Sequence, residues 1–290
     1  MNDRDFYRAY LKGQDPDMAD ITRFLQSNPA EVVARELDLS GPCQTVVNAC
    51  SSSTDAIRIG ALWITSGICD IVLAGGADEM SHVACNGFVS LMITDDTPCK
   101  PFDRDRKGLN LGEGAAMLVL ESEDMRRIRG KGARAFVLGS GASCDAYHLT
   151  APHPEGRGLR RALEGAIISS GVDVRKISFV NAHGTGTQDN DRVESHILHN
   201  VLPGVPFLST KGYTGHTLGA AGAIEAAFTV ACLEQRRIPK SAGFDIPDPQ
   251  LPASPVASEM AVDGSFAVSE SLAFGGHNGV LVFGAGGDRT

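Results

Sequence analysis

The stretch VVNACSSSTDAI, residues 46–57, joins an apolar run to a serine cluster and then to a segment with apolar residues at helical spacing. The apolar run over 45–49 predicts a short buried strand, and residues 55–66 predict a helix. Cys50 is therefore expected at the turn between them, next to the helix N-terminus. Unpaired backbone N–H groups and the helix dipole favour a thiolate there, so the pattern predicts a nucleophile, with an inert buried cysteine as the alternative.

Two later segments repeat this arrangement with a histidine in place of the cysteine. A predicted strand over 177–181 ends just before His183, which opens the glycine-rich loop HGTGT. A second predicted strand, 206–209, runs into the loop TKGYTGH, and His216 precedes a helix of small residues. Because polar groups at the carboxyl ends of neighbouring strands meet in one crevice, Cys50, His183 and His216 are predicted to share a pocket.

The rest of the chain alternates predicted helices and strands. Further helices are predicted over 29–37, 157–170, 191–200 and 220–237, and further strands over 70–75, 115–121 and 134–139, with a hairpin-like pair at 266–271 and 279–283. Residues 1–28 are polar and predict a surface helix or a lid. This alternation predicts an α/β fold with a largely parallel sheet, or sheets, covered by helices.

Composition excludes several classes of protein. A net charge of −9 argues against a general nucleic-acid binder. The seven cysteines are odd in number and contain no C-x-x-C pair, so neither a disulfide framework nor a metal site is predicted. No stretch approaches 18 apolar residues, which leads us to expect a soluble, cytoplasmic protein without membrane association.

The cysteine and histidine motifs, followed by the glycine-rich loop AFGGHNG at 273–279, resemble in their order the β-ketoacyl synthases. The similarity is to the two-histidine, acyl-carrier-protein-dependent branch, and DAYHLT at 145–150 is a weaker match. The resemblance implies the thiolase-like fold, layered αβαβα and built from two similar halves. We place these halves at residues 1–132 and 133–290, and expect the first half to be truncated, lacking at least its opening strand and helix.

The resemblance also implies an activity and the residues that perform it. The expected reaction is a decarboxylating Claisen condensation of an acyl-enzyme on Cys50 with malonyl-acyl carrier protein, as in fatty-acid or polyketide elongation. His183 and His216 would donate hydrogen bonds to the enolate, and Lys211 would orient the site electrostatically, with a structural buried ion pair as its alternative role. The backbone N–H groups of Cys50 and Phe274 would form the oxyanion hole, and the Phe274 ring would gate the tunnel. Supporting roles are expected for five further residues. Either Glu225 or Glu194 would pair with Lys211, and Asp191 would hold the histidine loop. Thr185 and Thr187 would bind the malonyl carboxylate or the pantetheine arm.

Cofactor and partner follow from the same resemblance. No bound cofactor or metal is expected, because the substrates arrive on the phosphopantetheine of acyl carrier protein. That acidic partner would need a local basic patch, and two clusters offer one: Arg104, Arg106 and Lys107, and then Arg126, Arg127, Arg129, Lys131 and Arg134. A solvated face is the alternative for either cluster. The family also implies a homodimer, or a heterodimer with a related ketosynthase subunit.

Three other functions remain open at this point. The first is an inactive partner subunit resembling a chain-length factor, which the retained Cys50, His183, His216 and Lys211 argue against. A thiolase acting on coenzyme A thioesters needs a second reactive cysteine near its C-terminus, and the sequence has none after Cys232. A cysteine hydrolase would not need two histidines and a lysine.

Overall fold

The computed structural model of the chain describes residues 3–19 and 28–287. The chain divides into two compact units, Met1–Val46 and Val47–Thr290. No helix in the described ranges is long and apolar enough to cross a membrane.

The described part of the first unit contains two helices, α1 (Asp3–Leu11) and α2 (Pro29–Glu36). Asn28 caps α2, its side chain accepting a hydrogen bond from the Ala30 N–H at 3.2 Å, and Pro29 occupies the first turn, where its missing N–H is not needed. The predicted helix at 29–37 is confirmed. Within the predicted surface segment 1–28, α1 is a helix and residues 20–27 lie outside the described residues.

The strand predicted over 45–49 is wrong. Residues 42–48 have no regular secondary structure, and the Val47 side chain is 83% exposed rather than buried. A strand is stabilised by its hydrogen-bonded ladder, and among the described residues no neighbouring strand pairs with this stretch. The apolar pattern was therefore present without the partner that would make it a strand.

The second unit carries the remaining elements. Its helices are α3 (Ser52–Thr65), α4 (His82–Ser90), α5 (Glu123–Arg129), α6 (Arg157–Ser170), α7 (Gln188–Val201), the single turn α8 (Lys211–Thr214) and α9 (Ala221–Gln235). Its strands are β1 (Ile71–Asp78), β2 (Gly114–Glu121), β3 (Ala133–Cys144), β4 (Ile177–Asn181), β5 (Phe207–Leu208), β6 (Arg237–Ile238), β7 (Met260–Ala261), β8 (Phe266–Leu272) and β9 (His277–Gly287). The other predicted helices and strands are confirmed within a few residues, whereas α4, α5, α8, β6 and β7 were not predicted.

The main sheet is mixed, so the prediction of a largely parallel sheet is wrong. Its order is β3-β9-β8-β4-β5, and only the β8–β4 and β4–β5 pairs are parallel. The predicted β8–β9 hairpin is confirmed, and it brings β9 back antiparallel to both β8 and β3. A tight hairpin reverses the chain without a crossover helix. The alternation of helices and strands therefore could not predict that the strands in this half of the sheet are antiparallel. The first-half sheet contains two antiparallel strands, β1 and β2.

Helices and sheets of this unit pack in layers. Helices α3 and α9 lie between the β1–β2 sheet and the main sheet, in a core that includes Ile57, Ala226 and Phe283. On the far side of the main sheet, α6 and α7 cover a second core that includes Leu163 and Ile197. The outer face of the β1–β2 sheet is not covered within residues 47–287, since Ile71, Met117 and Val119 are 52%, 47% and 70% exposed.

The contact between α3 and α9 sets the position of the predicted nucleophile. The Ser53 hydroxyl accepts a hydrogen bond from the Ala223 N–H at 2.9 Å. A Cβ added at Gly222 would lie 2.0 Å from the Thr54 hydroxyl oxygen and 2.7 Å from its backbone nitrogen. The absence of a side chain at Gly222 therefore allows the two helix N-termini to meet, one following Cys50 and the other following His216.

Replacing Gly222 by alanine tests this close approach. The added methyl group must push α9 away from α3, and overpacking of this kind costs about 1–3 kcal/mol of unfolding free energy. Gly165→Ala in α6 is the matched control, because a Cβ there meets nothing within 4 Å. That control is expected to stabilise by about 0.5–1 kcal/mol through helix propensity. Urea unfolding of both variants measures the difference, and equal midpoints would show that the helices are not in tight contact.

Candidate active site

Cys50 lies in a 3₁₀ turn, Ala49–Ser51, that leads directly into α3. Ala49 has a φ of 48°, in the left-handed region that costs a non-glycine residue free energy. This bent entry turns the Cys50 side chain inward, where it is only 5% exposed. The turn is braced by Asn48, whose side chain donates to the Asp55 carboxylate at 2.8 Å.

His216 approaches Cys50 from the loop between α8 and α9. Its Nε2 lies 3.0 Å from Cys50 Sγ, within hydrogen-bonding distance for a thiol and an imidazole. The backbone holds the loop on both sides, with the His216 N–H donating to the Asn110 carbonyl at 2.7 Å and the Gly112 N–H donating to the His216 carbonyl at 3.0 Å. The sulfur and this imidazole therefore form a direct pair across 166 residues of sequence.

His183 completes the cluster at the end of β4. Its ring centre lies 5.2 Å from that of His216, with the ring planes nearly perpendicular. The Lys211 ammonium donates to His183 Nδ1 at 3.0 Å and to the His183 carbonyl at 2.6 Å. Because Nδ1 accepts, the neutral ring carries its proton on Nε2, which is the tautomer required of a hydrogen-bond donor.

Lys211 pairs with Glu225 of α9, which decides between the two partners proposed from the sequence. Both side chains are almost fully buried, at 1% and 2% exposure. Burial raises the pKa of Glu225, and the Lys211 charge opposes that shift. Burying two charges is costly unless they are paired and hydrogen-bonded, and Lys211 meets this condition with three acceptors: the Glu225 carboxylate and two atoms of His183.

Two buried acids of α7 hold the loop that follows His183. Glu194 accepts hydrogen bonds from the backbone N–H groups of His183 and Gly184. Asp191 accepts from those of Thr185 and Gly186, at 3.1 and 3.2 Å. The two acids therefore bind four consecutive backbone N–H groups, which fixes the direction of the loop.

A cavity of about 270 Å³ opens onto these groups. Thr185 and Thr187 line it with their hydroxyls 2.9 Å apart. Phe274 also lines it, and its ring stacks on Phe88 of α4 with centres 5.4 Å apart. Most of the residues predicted for catalysis, oxyanion binding and support thus line this cavity or bind a residue that lines it, and Glu225 is reached through Lys211.

The titration state of the cluster differs from the sequence-based expectation for Cys50. Burial raises the pKa of the Cys50 thiol to about 11, although the Lys211 charge and the backbone N–H of Phe274 act to lower it. The thiol is therefore the resting form at neutral pH, not the expected thiolate. The backbone N–H of Cys50, at the turn that leads into α3, also acts to lower the pKa, but loss of water outweighs it. Burial and the Lys211 charge also hold the pKa values of His183 and His216 well below their usual range, so both rings are neutral.

Most arginines of the two predicted basic clusters form ion pairs with acidic side chains. Arg106 is only 4% exposed and binds Asp248 at 2.6 Å, so it does not belong to a surface patch. Arg104 pairs with Asp105 at 2.9 Å, which leaves Lys107 as the exposed cation of that cluster beside the cavity. In the second cluster, Arg126 pairs with Glu123, and Arg127 pairs with both Glu123 and Asp124. Arg129 pairs with Glu121, and Arg134 pairs with Glu234.

Sequence reasoning missed two residues of the site. Phe88 lies on α4, a helix that was not predicted. Glu270 lies in β8, where it is fully buried. A glutamate inside an otherwise apolar and small-residue strand, FAVSESL, was the available signal for Glu270, because an acid at a buried strand position requires a partner.

Comparison with known proteins gives the same family for both halves of the chain. Residues 3–125 match the β-ketoacyl synthase N-terminal domain, and residues 134–245 match the C-terminal domain. The chain is 37% identical over 262 residues to 3-oxoacyl-[acyl-carrier-protein] synthase 2 of Staphylococcus aureus, an alignment that covers 87% of this chain and 65% of the relative. The chain thus spans slightly less than two thirds of that relative's length.

Solved structures agree with the sequence comparison. A β-ketoacyl synthase from Burkholderia phymatum STM815 is 33% identical with a TM-score of 0.89, covering 97% of this chain and 71% of that one. A ketosynthase (ApeO) in complex with its chain length factor (ApeC) from Xenorhabdus doucetiae is also 33% identical, with a TM-score of 0.80 and the same coverage. These likenesses confirm the predicted thiolase-like α/β fold, and with the domain matches they show that the chain belongs to the β-ketoacyl synthase family.

Proposed function

We propose that this chain catalyses the decarboxylating Claisen condensation of a Cys50-bound acyl group with malonyl-acyl carrier protein, giving β-ketoacyl-acyl carrier protein. The observation that carries the proposal is the convergence of Cys50 Sγ on His216 Nε2 at 3.0 Å, with His183 beside them in the donor tautomer. A hydrolase needs one imidazole beside its thiol. A second neutral imidazole held by a lysine is suited to binding an enolate oxygen.

The first step loads the acyl group onto Cys50. As Sγ attacks the thioester carbonyl, its proton passes to His216 Nε2, because the raised pKa of Cys50 makes prior ionisation costly. The negative charge moves to the carbonyl oxygen, which the backbone N–H groups of Cys50 and Phe274 are placed to stabilise, both being close to the sulfur. The carrier thiol leaves with the proton from His216, so the step exchanges one thioester for another.

The second step forms the carbon–carbon bond. Malonyl thioester loses carbon dioxide, and the electron pair moves into an enolate whose oxygen accepts a hydrogen bond from Nε2 of His183. His216 donates a second one from Nε2 after its ring proton has moved from Nδ1 to Nε2 by exchange with water. The enolate carbon then attacks the Cys50 thioester, the C–S bond breaks, and the expelled thiolate takes up one proton from water, which restores the thiol. Lys211 keeps the His183 proton on Nε2 by donating to Nδ1, and so acts through His183 without contacting the substrate.

The partner we propose is acyl carrier protein, which delivers both acyl groups on its phosphopantetheine, so the reaction uses no resident cofactor. Lys107 supports this docking, since it is exposed at the cavity while its neighbouring arginines are paired with acids. We also propose assembly as a homodimer or a heterodimer with a related ketosynthase subunit, as in the ketosynthase and chain-length-factor complex described above. Seven free cysteines are typical of the reducing cytoplasm, where we place the protein.

Substitution of Cys50 tests the acyl-enzyme. Cys50→Ala is expected to abolish the mass increase seen by intact-protein mass spectrometry after incubation with acyl-acyl carrier protein. Cys50→Gln is expected to retain malonyl decarboxylation without condensation, since both histidines remain. Cys69→Ala is the control, because Cys69 does not line the cavity, and should acylate normally. Acylation of Cys50→Ala would remove Cys50 from the mechanism, and a wild-type chain that never acylates would favour the partner-subunit function.

The pH dependence of Cys50 alkylation separates a resting thiol from a resting thiolate. With a pKa of about 11, the thiolate fraction should rise about tenfold per pH unit from pH 7 to 10. The rate of iodoacetamide modification, followed by peptide mass spectrometry, should rise in parallel and show no plateau in this range. A plateau below pH 8 would mean that the helix N-terminus and Lys211 outweigh burial.

Loss of His183 distinguishes a catalytic from a structural role for this residue. His183→Ala should lower malonyl decarboxylation by about 10²-fold or more, the usual effect of losing a positioned proton donor. Acyl loading should change little, because His216 is the imidazole beside Cys50. His196→Ala, on the exposed face of α7, is the control and should leave both rates unchanged. Equal loss of both reactions in His183→Ala would indicate a structural role only.

A further inference from the structure

Glu270 is a fully buried acid for which the proposed mechanism has no use. Its side chain is 0% exposed in the middle of β8. Neither carboxyl oxygen receives a hydrogen bond from an N–H or hydroxyl group of the described residues. An isolated buried carboxylate costs several kcal/mol, so this group must be neutral or share its charge with a partner.

The group that Glu270 faces is the carboxyl of Glu194. Side chains alternate along a strand, and Glu270 therefore lies on the same face of β8 as Val268 and Leu272, which pack in the core beneath α6 and α7. Glu194 projects from α7 into that core. The two acids thus meet inside the protein, away from water.

Hydrogen-bond donors decide which acid of the pair is ionised. Glu194 accepts from the backbone N–H groups of His183 and Gly184, the latter at 2.8 Å, and from the Asn190 side chain at 3.1 Å. Three N–H donors stabilise a carboxylate, whereas Glu270 has none from the described part of the chain. Burial raises the pKa of Glu194 to about 7 and that of Glu270 further, so Glu194 is the first of the two to ionise and Glu270 is the acid that retains its proton.

The remaining charges near the pair do not replace that proton. On the same side of the sheet, Asp191 of α7 adds negative charge, and Arg106 is already committed to Asp191 and Asp248. The residue opposite Glu270 on β9 is Val280, and α6 presents apolar side chains. Lys211 and Glu225, near α9, form their own ion pair. Burial therefore raises the pKa of Glu270 well above its usual value, and the Glu194 charge raises it further.

We propose that protonated Glu270 is a positioning residue: it donates a hydrogen bond to the Glu194 carboxylate, so that the pair shares one proton and holds the turn on which His183 sits. Glu194 is the sole side chain that binds both the His183 and Gly184 N–H groups within the described residues. If Glu270 ionised, two buried carboxylates would repel each other, and the displacement of Glu194 would move that turn. The catalytic consequence rests on the proposed function, whereas the shared proton does not.

The shared proton is tested without any activity assay. Wild-type protein at pH 7 should show the infrared carbonyl band of a protonated carboxylic acid, and Glu270→Gln should lack it. Glu164→Gln, an exposed acid on α6, is the control and should keep the band. Absence of the band from wild type would overturn the proposal.

The change of thermal stability with pH provides an independent test of whether the pKa of Glu270 is raised. A carboxyl whose folded pKa is raised binds a proton that the unfolded chain has lost, so its contribution to stability falls as pH rises above the unfolded value. The wild-type melting temperature should therefore decline relative to that of Glu270→Gln between pH 5 and pH 8. A constant difference across this range would overturn the proposal.

The positioning role is tested by comparing two variants at Glu270. Gln retains an N–H donor for Glu194, whereas Leu retains only the volume. Malonyl decarboxylation, which depends on His183, should be largely kept in Glu270→Gln and fall at least tenfold in Glu270→Leu, with acyl loading of Cys50 less affected. Equal rates in the two variants, or equal loss of both reactions, would overturn the positioning role. A wild-type enzyme without condensing activity would overturn the proposed function instead, and the infrared and unfolding results would still decide the shared proton.

Discussion

The buried ammonium of Lys211 is the charge around which the active site is arranged. It contacts His183 at both Nδ1 and the carbonyl, and it pairs with Glu225. An unpaired ammonium at this depth would cost several kcal/mol, and these acceptors offset that cost. In return, the lysine fixes the His183 tautomer, and its charge adds to burial in lowering the pKa values of His183 and His216. Burial and this one cation thus keep both imidazoles neutral, and the cation does so without contacting the reacting atoms.

The backbone geometry needed for this arrangement comes from contacts that span the sequence. Cys50 enters from the start of α3 and His216 from the approach to α9, and these two helix ends meet because Gly222 has no side chain to hold them apart. His183 enters from the end of β4 in the main sheet, where Glu194 binds the backbone at the turn. Each reactive group is therefore carried by a different element, and the packing between the layers brings them together.

The sequence was sufficient for the order of elements and for the reactive residues, because those depend on local patterns and on motifs that are short and specific. It failed where the outcome depends on a partner elsewhere in the chain. The apolar run at 45–49 has the composition of a strand, yet it forms none because no described strand lies beside it to complete a ladder. Arg106 belongs to a basic run in sequence but is buried by Asp191 and Asp248, 85 and 142 residues away. The raised pKa of Cys50 has the same origin, because burial is a property of the assembled layers and not of the helix end.

Around the reacting atoms, the resting site is close to electrically neutral. Cys50 is a thiol, both imidazoles are uncharged, and Lys211 is balanced by Glu225. In the proposed reaction, negative charge appears only as the steps proceed, first on the thioester oxygen and then on the enolate. Donors already held in place gain most from a charge that develops in a water-poor cavity, since they need no reorganisation at that moment. A permanent thiolate would offer a reactive anion before a substrate arrived, whereas a neutral thiol beside His216 becomes nucleophilic only when a carbonyl is present to receive the electrons. The high pKa of Cys50 is therefore compatible with the proposed catalysis. It requires that the thiol be activated by proton transfer to His216 across the 3.0 Å contact between Sγ and Nε2.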